Sequence, residues 1–407
     1  MIVQQLVPQA NSVEVNDIVE LLNSASQFPP FSEELTTLFD SLSAALFSDA
    51  EAKRFPELQA LAFFIRRSAI RTLHKDFIKA SERADLVSVP MGRVFHLAPG
   101  NVDTLFVYSW FLSAITGNTN IIRLSQRTSE PAVIICRLLN QLLAASSEKL
   151  RRSVIIISYG HDEEITKAIS QVIDLRVIWG GDHSVSSIRK ASLPVHAREL
   201  VFPDRYSVAA IKTKAYEELD SEAKLRLIHE FFNDSYWFDQ AACSSPRQIF
   251  FVGEANENKT AAAHFQMQLQ DELVRRNFQL EPAASIEKLT DVYDCLLQTE
   301  VDELHYHTNE LAVLDLPVAT LPSVHGSRGT FYCSTLVALD QLLPALTRKV
   351  QTLTYFGFEQ EELRSFAQKA NGQGIDRMVP IGQALSFDRF WDGLDLVAQF
   401  TRLVNIK

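Results

Sequence analysis

Residues 94–101 read Val-Phe-His-Leu-Ala-Pro-Gly-Asn, a short apolar run that stops at a Pro-Gly pair. A run of this length bounded by turn residues is typical of a buried β-strand. The pattern recurs up to residue 179, with apolar runs at Val94–Ala98, Asn120–Leu124, Val154–Ser158 and Leu175–Trp179 and helical segments at about 102–116, 129–145 and 162–173. This alternation predicts right-handed βαβ units and a doubly wound, mostly parallel sheet.

A second α/β series follows the first. Its strand-like runs lie at Tyr206–Ile211, Gln248–Val252, Leu311–Leu316, Phe331–Val337 and Thr352–Phe356. We place the domain boundary near Val201–Arg205, where a proline interrupts the pattern. The predicted division is therefore 1–203 for an N-terminal helical region with the first α/β domain, 204–370 for the second α/β domain, and 371–407 for a C-terminal segment that packs back near the domain interface.

Composition narrows the class of protein. The chain has 407 residues, of which 46% are hydrophobic and 22% charged, as expected for a globular protein of two or three domains. Its net charge of −11 and the lack of a long basic run argue against nucleic acid or an anionic membrane surface as a partner. No segment reaches 18 uninterrupted apolar residues, and the first residues lack a signal-peptide pattern, so we expect a cytoplasmic protein without a membrane span.

Four widely spaced cysteines form no Cys-x-x-Cys pair, which argues against a disulfide framework or a zinc ribbon. Cys136, Cys295 and Cys333 lie in apolar stretches and are predicted to be packing residues. Cys243 differs, because small residues flank it in the run Ala241-Ala242-Cys243-Ser244-Ser245. It is either a nucleophile open to a carbonyl substrate or, like most free cysteines, a small apolar filler.

Glycine is scarce, with 14 residues in 407, so each glycine is informative about sharp turns or close approaches. Gly100 follows the first strand-like run, Gly117 precedes the second, and Gly180-Gly181 follow the fourth. Ligands bind at the carboxyl ends of strands in open α/β sheets, and a strand, glycine pair and helix start present N–H groups to an anion such as a pyrophosphate. An ordinary βα turn is the alternative, and no Gly-x-Gly-x-x-Gly fingerprint is present.

Arg123 is the basic residue nearest this edge, just after Asn120-Ile121-Ile122. Arginine binds phosphate oxygens in a bidentate manner, and the nearby Gln126 carries no charge that would repel a ribose 2′-phosphate. The alternative is a solvated arginine at a strand end.

These motifs, taken in order, resemble the aldehyde dehydrogenase superfamily and, more narrowly, the acyl-CoA reductase (LuxC) family of bacterial bioluminescence. They are Ala98–Asn101, Gly117–Arg123, Trp179–Asp182, Ala242–Pro246, Gly374–Gly382 and Phe390–Gly393. The resemblance runs from about Leu61 to the end of the chain. It implies an aldehyde dehydrogenase-like α/β fold, with a cofactor-binding domain followed by a catalytic domain that carries Cys243.

The resemblance also implies a reaction. Cys243 would attack an acyl thioester, and the tetrahedral oxyanion would be held by the Asn101 amide and the Cys243 backbone N–H. Hydride from a nicotinamide would then reduce the thioacyl-enzyme and release an aldehyde. A free thiol has a pKa of about 8.5, so this chemistry requires activation, and no residue in the sequence clearly supplies it.

Cofactor contacts follow from the same resemblance. Thr119, Arg123 and Ser125 would surround the adenosine ribose, while Gly180, Gly181 and Asp182 would lie near the pyrophosphate. Arg123 together with Gln126 favours NADPH (NADP) over NADH. The acyl group would arrive on coenzyme A, a carrier protein or a partner enzyme, and by analogy a homo-oligomer is expected.

Other interpretations stay open. One is a cysteine-dependent acyltransferase or thioesterase without nicotinamide chemistry, and another is a non-catalytic subunit of an acyl-handling complex. Hydrolytic aldehyde dehydrogenases carry Glu-Leu-Gly-Gly-Lys, whereas Glu199-Leu200 is followed here by Val201-Phe202-Pro203. This departure favours reduction over water activation, and Glu199 as a general base is the alternative. His305 and His307 share one face of a possible strand, as in a metal site, but a solvated strand is favoured because no third ligand is evident.

Overall fold

The strand and helix alternation predicted from residue 94 onward is present in a computed structural model, which describes residues 1–80, 85–98, 104–318 and 320–407. The chain forms two compact units. Unit 1 comprises Met1–Pro203 and Phe387–Lys407, and unit 2 comprises Asp204–Ser386. Residues 371–407, treated above as one C-terminal segment, are thus divided between the two units.

Unit 1 begins with a hairpin and four helices and continues as alternating strands and helices. In chain order the elements are β1 (Ile2–Val7), β2 (Asn11–Glu14), α1 (Val15–Ser24), α2 (Glu33–Ser48), α3 (Pro56–Ile65), α4 (Arg67–Ala80), β3 (Leu86–Pro90), β4 (Arg93–Leu97), α5 (Leu105–Ile115), β5 (Thr119–Leu124), α6 (Glu130–Ala144), α7 (Glu148–Arg152), β6 (Val154–Ser158), α8 (Glu163–Ser170), β7 (Leu175–Trp179), α9 (Asp182–Ile188) and β8 (Arg198–Phe202). A 3₁₀ turn covers Ala52–Arg54. The four strands predicted in this part of the chain correspond to β4, β5, β6 and β7.

Sheet 1 has the strand order β2-β1-β6-β5-β4-β7-β8. The strands from β6 to β8 are parallel, and β1 is antiparallel to both of its neighbours. The chain runs outward from β4 through β5 to β6 and then returns to the other side of β4 for β7 and β8. The reversal between β4 and β7 is a topological switch point, where open α/β sheets bind ligands at their carboxyl edge.

The central strands of sheet 1 are largely apolar because both faces of the sheet are buried. Alternate side chains belong to two different cores. Val94, Ile122, Ile156 and Val177 pack with α2, α3, α5 and α6, whereas Phe95, Ile121, Ile155 and Ile178 pack with α1 and α8. Helices therefore cover both faces and leave the strand ends as the places where functional groups can be exposed.

Unit 2 repeats the alternation of strands and helices. Its elements are β9 (Tyr206–Lys212), α10 (Thr213–Glu217), α11 (Ser221–Tyr236), β10 (Pro246–Val252), α12 (Ala255–Arg275), α13 (Pro282–Gln298), β11 (Glu303–Thr308), β12 (Leu311–Asp315), β13 (Thr330–Leu336), β14 (Val350–Phe356), α14 (Gln360–Ala370) and β15 (Arg377–Pro380). A 3₁₀ segment covers Leu339–Ala345. The longest helix, α12, has 21 residues and carries charges along its length. Within the described ranges, no helix has both the length and the apolarity needed to cross a bilayer.

Sheet 2 has the order β11-β12-β13-β10-β9-β14-β15. All neighbours are parallel except β11, which is antiparallel to β12. The chain runs from β9 to β10 and then to the outer strands β11 and β12, after which β13 fills the place between β10 and β12. It later adds β14 and β15 on the other side of β9. Strands are thus added on both sides of the first parallel strand in each sheet, and the predicted pair of doubly wound α/β domains is confirmed.

The last residues of the chain return to unit 1. They form β16 (Phe390–Trp391), β17 (Leu394–Asp395), α15 (Leu396–Gln399) and β18 (Thr401–Asn405). Strand β18 pairs with β3 in an antiparallel ribbon, and the Tyr108 hydroxyl donates a 2.6 Å hydrogen bond to the Asp388 carbonyl. The two C-terminal motifs consequently belong to different units, Gly374–Gly382 to unit 2 and Phe390–Gly393 to unit 1.

Candidate active site

Cys243 lies in the loop between α11 and β10, at the amino edge of sheet 2. Helix α11 begins at a good cap, since the Asp220 side chain accepts a 2.8 Å hydrogen bond from the Ala223 N–H. The Cys243 residue is half-buried, whereas the other three cysteines of the chain, Cys136, Cys295 and Cys333, are buried. Cys243 is therefore the least buried of the four cysteines.

The loop before Cys243 turns back through left-handed backbone. Asp239 and Gln240 have φ angles of +49° and +61°, which are uncommon for residues with a side chain. The buried Gln240 amide compensates for this geometry: it donates to the carbonyls of Pro246 and Thr330 (3.0 and 3.2 Å) and accepts from the N–H groups of Gly329 and Thr330 (2.7 and 3.2 Å). One side chain thus ties the loop to the starts of β10 and β13.

Two serine hydroxyls hold the backbone on either side of the thiol. The Ser207 hydroxyl, at the start of β9, donates to the Cys243 carbonyl at 2.7 Å. The Ser245 hydroxyl donates to the Asp234 carbonyl of α11, also at 2.7 Å. Because both bonds are made to main-chain atoms, they set the direction of the Cα–Cβ bond of Cys243 without using its sulfur.

Asp234 links α11 to the C-terminal motif of unit 2. Its carboxylate oxygens accept hydrogen bonds from the N–H groups of Gly382 (2.7 Å) and Ala384 (2.9 Å). Burial raises the pKa of Asp234 to about 7, although these two hydrogen bonds act in the opposite direction. The motif Gly374–Gly382 is therefore held by the helix that leads to Cys243.

The predicted ribose contacts Arg123 and Ser125 lie at the carboxyl end of β5. The Arg123 guanidinium donates from Nη2 to the carbonyls of Tyr159 (3.0 Å) and Gly160 (3.3 Å), in the loop after β6. Burial lowers the pKa of Arg123, and Tyr159 acts in the opposite direction. The Ser125 hydroxyl donates to the Arg127 carbonyl at 2.9 Å. Arg123 is thus a half-buried cation fixed between two strand ends rather than a solvated surface residue.

Gly180, Gly181 and Asp182 lie where β7 ends and α9 begins. The Gly180 N–H donates to the Phe202 carbonyl of β8 at 3.2 Å. A Cβ built on Gly181 meets no atom within 4 Å, so the backbone is open to a ligand on that side. Asp182 is the exposed first residue of α9. This group and Arg123 share one edge of sheet 1, on either side of β4.

Thr119 does not join these residues. It begins β5, so four residues separate it from Arg123, or about 13 Å along the strand. Its side chain is fully buried, and within the part of the chain that the structure describes its hydroxyl has no hydrogen-bond partner. Gly117, just before it, approaches the Phe28 carbonyl so closely that a Cβ would lie 2.1 Å away. This end of β5 is a packing site, which differs from the expected ribose contact.

Asn101, the predicted oxyanion donor, lies outside the described residues, as do Pro99 and Gly100. The described part of β4 ends just before them, at the switch point of sheet 1.

Three other side chains noted in the sequence have structural partners. Glu199 pairs with Arg176 Nε at 2.8 Å and with Arg189 Nε at 2.7 Å, so its carboxylate is held by two cations. His305 and His307 do lie on strand β11, where His305 contacts Asp315 (3.1 Å). Across the described ranges, no group of three or more histidine, cysteine or acidic side chains could hold a metal ion.

Gln240, Ser207 and Asp234 were not predicted as site residues. Each acts through hydrogen bonds to main-chain atoms of residues 6 to 150 positions away. Ser207 lies between Tyr206 and Val208 in a strand-like run, but this pattern does not identify its partner, and Gln240 and Asp234 have polar neighbours in the chain. Such positioning residues become visible only once the strand ends are placed together.

A profile of the family described as acyl-CoA reductase (LuxC) matches residues 11–404. The chain is 24% identical over 261 residues to long-chain acyl-protein thioester reductase 2 of Photobacterium leiognathi, covering 60% of this chain and 52% of that protein. It is 23% identical over 325 residues to the long-chain acyl-protein thioester reductase of Vibrio harveyi, covering 78% and 64%. The chain therefore spans about half to two thirds of the length of these relatives.

Solved structures show the same fold. Aldehyde dehydrogenase 21 from Physcomitrella patens superposes with a TM-score of 0.67 at 10% identity, covering 96% of this chain and 89% of that chain. An NAD-dependent benzaldehyde dehydrogenase from Corynebacterium glutamicum gives 0.66 at 11% identity, covering 100% and 95%. With a profile match over nearly its whole length, the chain belongs to the acyl-CoA reductase (LuxC) family and has the aldehyde dehydrogenase fold.

Proposed function

We propose that the protein reduces an acyl thioester to an aldehyde with a nicotinamide cofactor, and that Cys243 carries the acyl group. The observation that carries this proposal is the half-buried Cys243 on a loop held by Gln240, Ser207 and Ser245, while the other cysteines are buried. The relatives named as long-chain acyl-protein thioester reductases support the reaction class.

In the first half-reaction the Cys243 thiolate attacks the acyl carbonyl carbon. A C–S bond forms and the carbonyl oxygen becomes an oxyanion, for which the Cys243 N–H and the Asn101 amide are the proposed donors. Collapse breaks the bond to the departing thiol of the carrier, which leaves as a thiolate and takes up a proton. Cys243 is then acylated as a thioester.

When bound, a reduced nicotinamide supplies the hydride that converts this thioester to a thiohemiacetal. The thiohemiacetal oxygen then loses its proton, the C=O bond re-forms and the C–S bond to Cys243 breaks, which releases the aldehyde and regenerates the thiol. Glu199 is held by Arg176 and Arg189. This pairing supports reduction rather than hydrolysis, because a carboxylate engaged by two cations is a poor base toward water.

The residues at the carboxyl edge of sheet 1 fit a dinucleotide. The open backbone at Gly181, beside Gly180 and Asp182, would accept the pyrophosphate. Ser125 and Arg123 would contact the ribose, and Arg123 beside the uncharged, exposed Gln126 favours NADPH over NADH. Thr119 is left out of this set, because it lies at the other end of β5.

The acyl carrier is proposed to be coenzyme A, a carrier protein or a partner enzyme. A homo-oligomer located in the cytoplasm is the proposed state of the enzyme. These assignments rest on the family and on the sequence. They are not carried over directly from the aligned relatives, because those proteins are longer than this chain.

The test is a panel of acyl thioesters of different chain length and polarity, incubated with NADPH or NADH while the nicotinamide absorbance is followed. Aldehyde formation with cofactor oxidation is expected for the wild-type protein. Cys243→Ala should lower this rate at least about 1,000-fold. The matched control is Cys136→Ala, which changes a buried cysteine of α6 and should keep full turnover.

Full turnover by Cys243→Ala would contradict the proposal. Release of the carrier thiol without nicotinamide oxidation would instead identify an acyltransferase or thioesterase. A protein that neither oxidises NADPH nor reacts at Cys243 would be the non-catalytic subunit.

A further inference from the structure

Arg247 follows Cys243 by four residues and occupies an irregular place in β10. Pro246 lies opposite Ser207 of β9, and Gln248 lies opposite the very next residue, Val208. Arg247 is therefore an extra residue in β10 that opposes no residue of β9. Such bulges change the direction of a side chain and are frequent beside active sites.

The guanidinium of Arg247 is held by a hydrogen bond to a main-chain carbonyl. Its Nη1 donates to the Gly326 carbonyl at 2.6 Å. Position 326 has no room for a side chain, because a Cβ there would lie 2.5 Å from a methyl group of Thr330. The cation is thus fixed between the Cys243 loop and the segment that precedes β13.

The charged groups around Arg247 come from several elements. Burial lowers the pKa of Arg247, and Cys243 is the strongest of the groups that oppose this, ahead of the Asp204 and Asp291 carboxylates. Arg328 adds a second positive charge, but it is itself paired with Glu287. The structure thus brings a half-buried cation within electrostatic reach of the Cys243 sulfur.

The remaining titratable group beside Arg247 is His325. Its ring stacks on Tyr206 with centroids 4.0 Å apart, and burial, assisted by the charge of Arg247, lowers its pKa to about 4. His325 is consequently neutral at pH 7 and adds no positive charge. Among the groups named here, Arg247 is the cation that interacts electrostatically with Cys243 and whose hydrogen bond goes to a main-chain carbonyl.

We propose that Arg247 activates Cys243 as a positioning residue, by stabilising the thiolate with its guanidinium charge. The inference rests on the proposed function, for which it supplies the missing activation. An ordinary thiol is only a few per cent ionised at pH 7, whereas thiols beside arginine ionise at lower pH. On ionisation the proton leaves to solvent and no other bond changes.

The experiment measures the alkylation rate of Cys243 by iodoacetamide across pH 5–10, with the modified peptide quantified by mass spectrometry and without substrate or cofactor. Arg247→Gln keeps an N–H donor for Gly326 but removes the charge, while Arg247→Lys keeps the charge. We expect Arg247→Gln to raise the midpoint of the curve of alkylation rate against pH by about one pH unit or more. At pH 7 the variant should be alkylated about tenfold more slowly than the wild type. Arg247→Lys should stay near the wild-type midpoint.

Two results would overturn the inference. One is a wild-type alkylation midpoint near that of an ordinary thiol. This measurement uses the wild-type protein alone, so it does not depend on whether a variant folds. The other is an equal shift in Arg247→Gln and Arg247→Lys, because a hydrogen-bonding role alone would produce it. Arg328→Gln is the nearby control and should leave the midpoint unchanged. If the midpoint is low but no thioester yields an aldehyde, the proposed function fails and the role of Arg247 stands.

Discussion

The two sheets are both doubly wound but carry their candidate functional groups at opposite edges. The parallel strands of sheet 1 follow the order third, second, first, fourth, fifth along the chain, and those of sheet 2 follow the order third, fourth, second, first, fifth, sixth. In unit 1, Arg123 and Gly181 follow strands and lie at the carboxyl edge, whereas in unit 2 Cys243 precedes β10 and lies at the amino edge. Winding therefore provides the scaffold, and the loops decide which edge is used.

The carboxyl edge of sheet 2 is closed by bonds within the protein. The Asn258 side chain donates to the carbonyls of Gly253 (2.9 Å) and Leu336 (3.0 Å), which satisfies two strand ends internally. Lys212, the last residue of β9, pairs with Glu362 at 2.8 Å. Backbone groups that are already bonded offer nothing to a ligand, in contrast to the open Gly181 in unit 1.

The largest effect on the amino edge of sheet 2, with the carboxyl edge of sheet 1 unchanged, is expected from a substitution of Gln240. Gln240→Leu keeps the side-chain volume near its original value but leaves buried N–H and C=O groups of the loop unpaired. Since each such group costs about 1–3 kcal/mol, we expect the free energy of unfolding to fall by about 3 kcal/mol or more. Urea unfolding measures this loss of stability. The alkylation rate of Cys243 should also change, whereas the affinity of the folded protein for NADPH should not.

Gln268→Leu is the control for that variant. Gln268 lies on α12 and makes a single 2.9 Å bond to the Tyr216 hydroxyl, so its loss should cost about 1 kcal/mol. If the free energy of unfolding fell equally in the two variants, the four hydrogen bonds of Gln240 would not be what holds the loop.

A smaller effect is expected from the pH dependence of Asp234. Its pKa of about 7 in the folded protein lies well above the usual value of 3.8 for aspartate, so the folded state favours the protonated acid. This contribution to stability is fully present below pH 4 and is lost as the pH rises through about 7. Wild-type stability should therefore fall relative to Asp234→Asn between pH 5 and 7.5, by on the order of 2 kcal/mol.

Urea unfolding of both proteins at the two pH values provides the measurement. Asp220→Asn, at the exposed cap of α11, is the control and should keep the wild-type pH profile. A stability difference between wild type and Asp234→Asn that is constant with pH would show that Asp234 is ionised throughout, as its two N–H donors would favour.

The smallest expected effect concerns Arg123 at the carboxyl edge of sheet 1. Arg123→Gln should weaken NADPH binding about tenfold, because a charged hydrogen bond to the 2′-phosphate is lost, and should change NADH binding less than about threefold. Nicotinamide fluorescence titrations measure both affinities. The exposed neighbour Arg127→Gln is the control.

Equal weakening of NADPH and NADH in Arg123→Gln would point to the bonds that Arg123 makes to Tyr159 and Gly160 instead of to the phosphate. The alkylation rate of Cys243 should not change in this variant, which separates the carboxyl edge of sheet 1 from the amino edge of sheet 2.

Local patterns predicted the strands well where both faces are buried. Strands β6 and β7 have the predicted limits, Val154–Ser158 and Leu175–Trp179, because a largely apolar run of this length has few alternatives. The hairpin of β1 and β2 was not predicted. Strand β1 reads Ile-Val-Gln-Gln-Leu-Val, which is neither a continuous apolar run nor a strict alternation, and β2 is mostly polar, so no local pattern marked the hairpin.

The sequence by itself determined the α/β class, the two series of strands, the family, and the small-residue run around Cys243, because these depend on periodicity and on residues close together in the chain. Only the tertiary structure decided that Thr119 and Arg123 lie at opposite ends of one strand, that Gln240 and Ser207 hold the thiol loop, and that Arg247 is an extra residue at a bulge of β10. Those relations depend on register and on hydrogen bonds between distant segments, which form only when the strand ends are packed side by side.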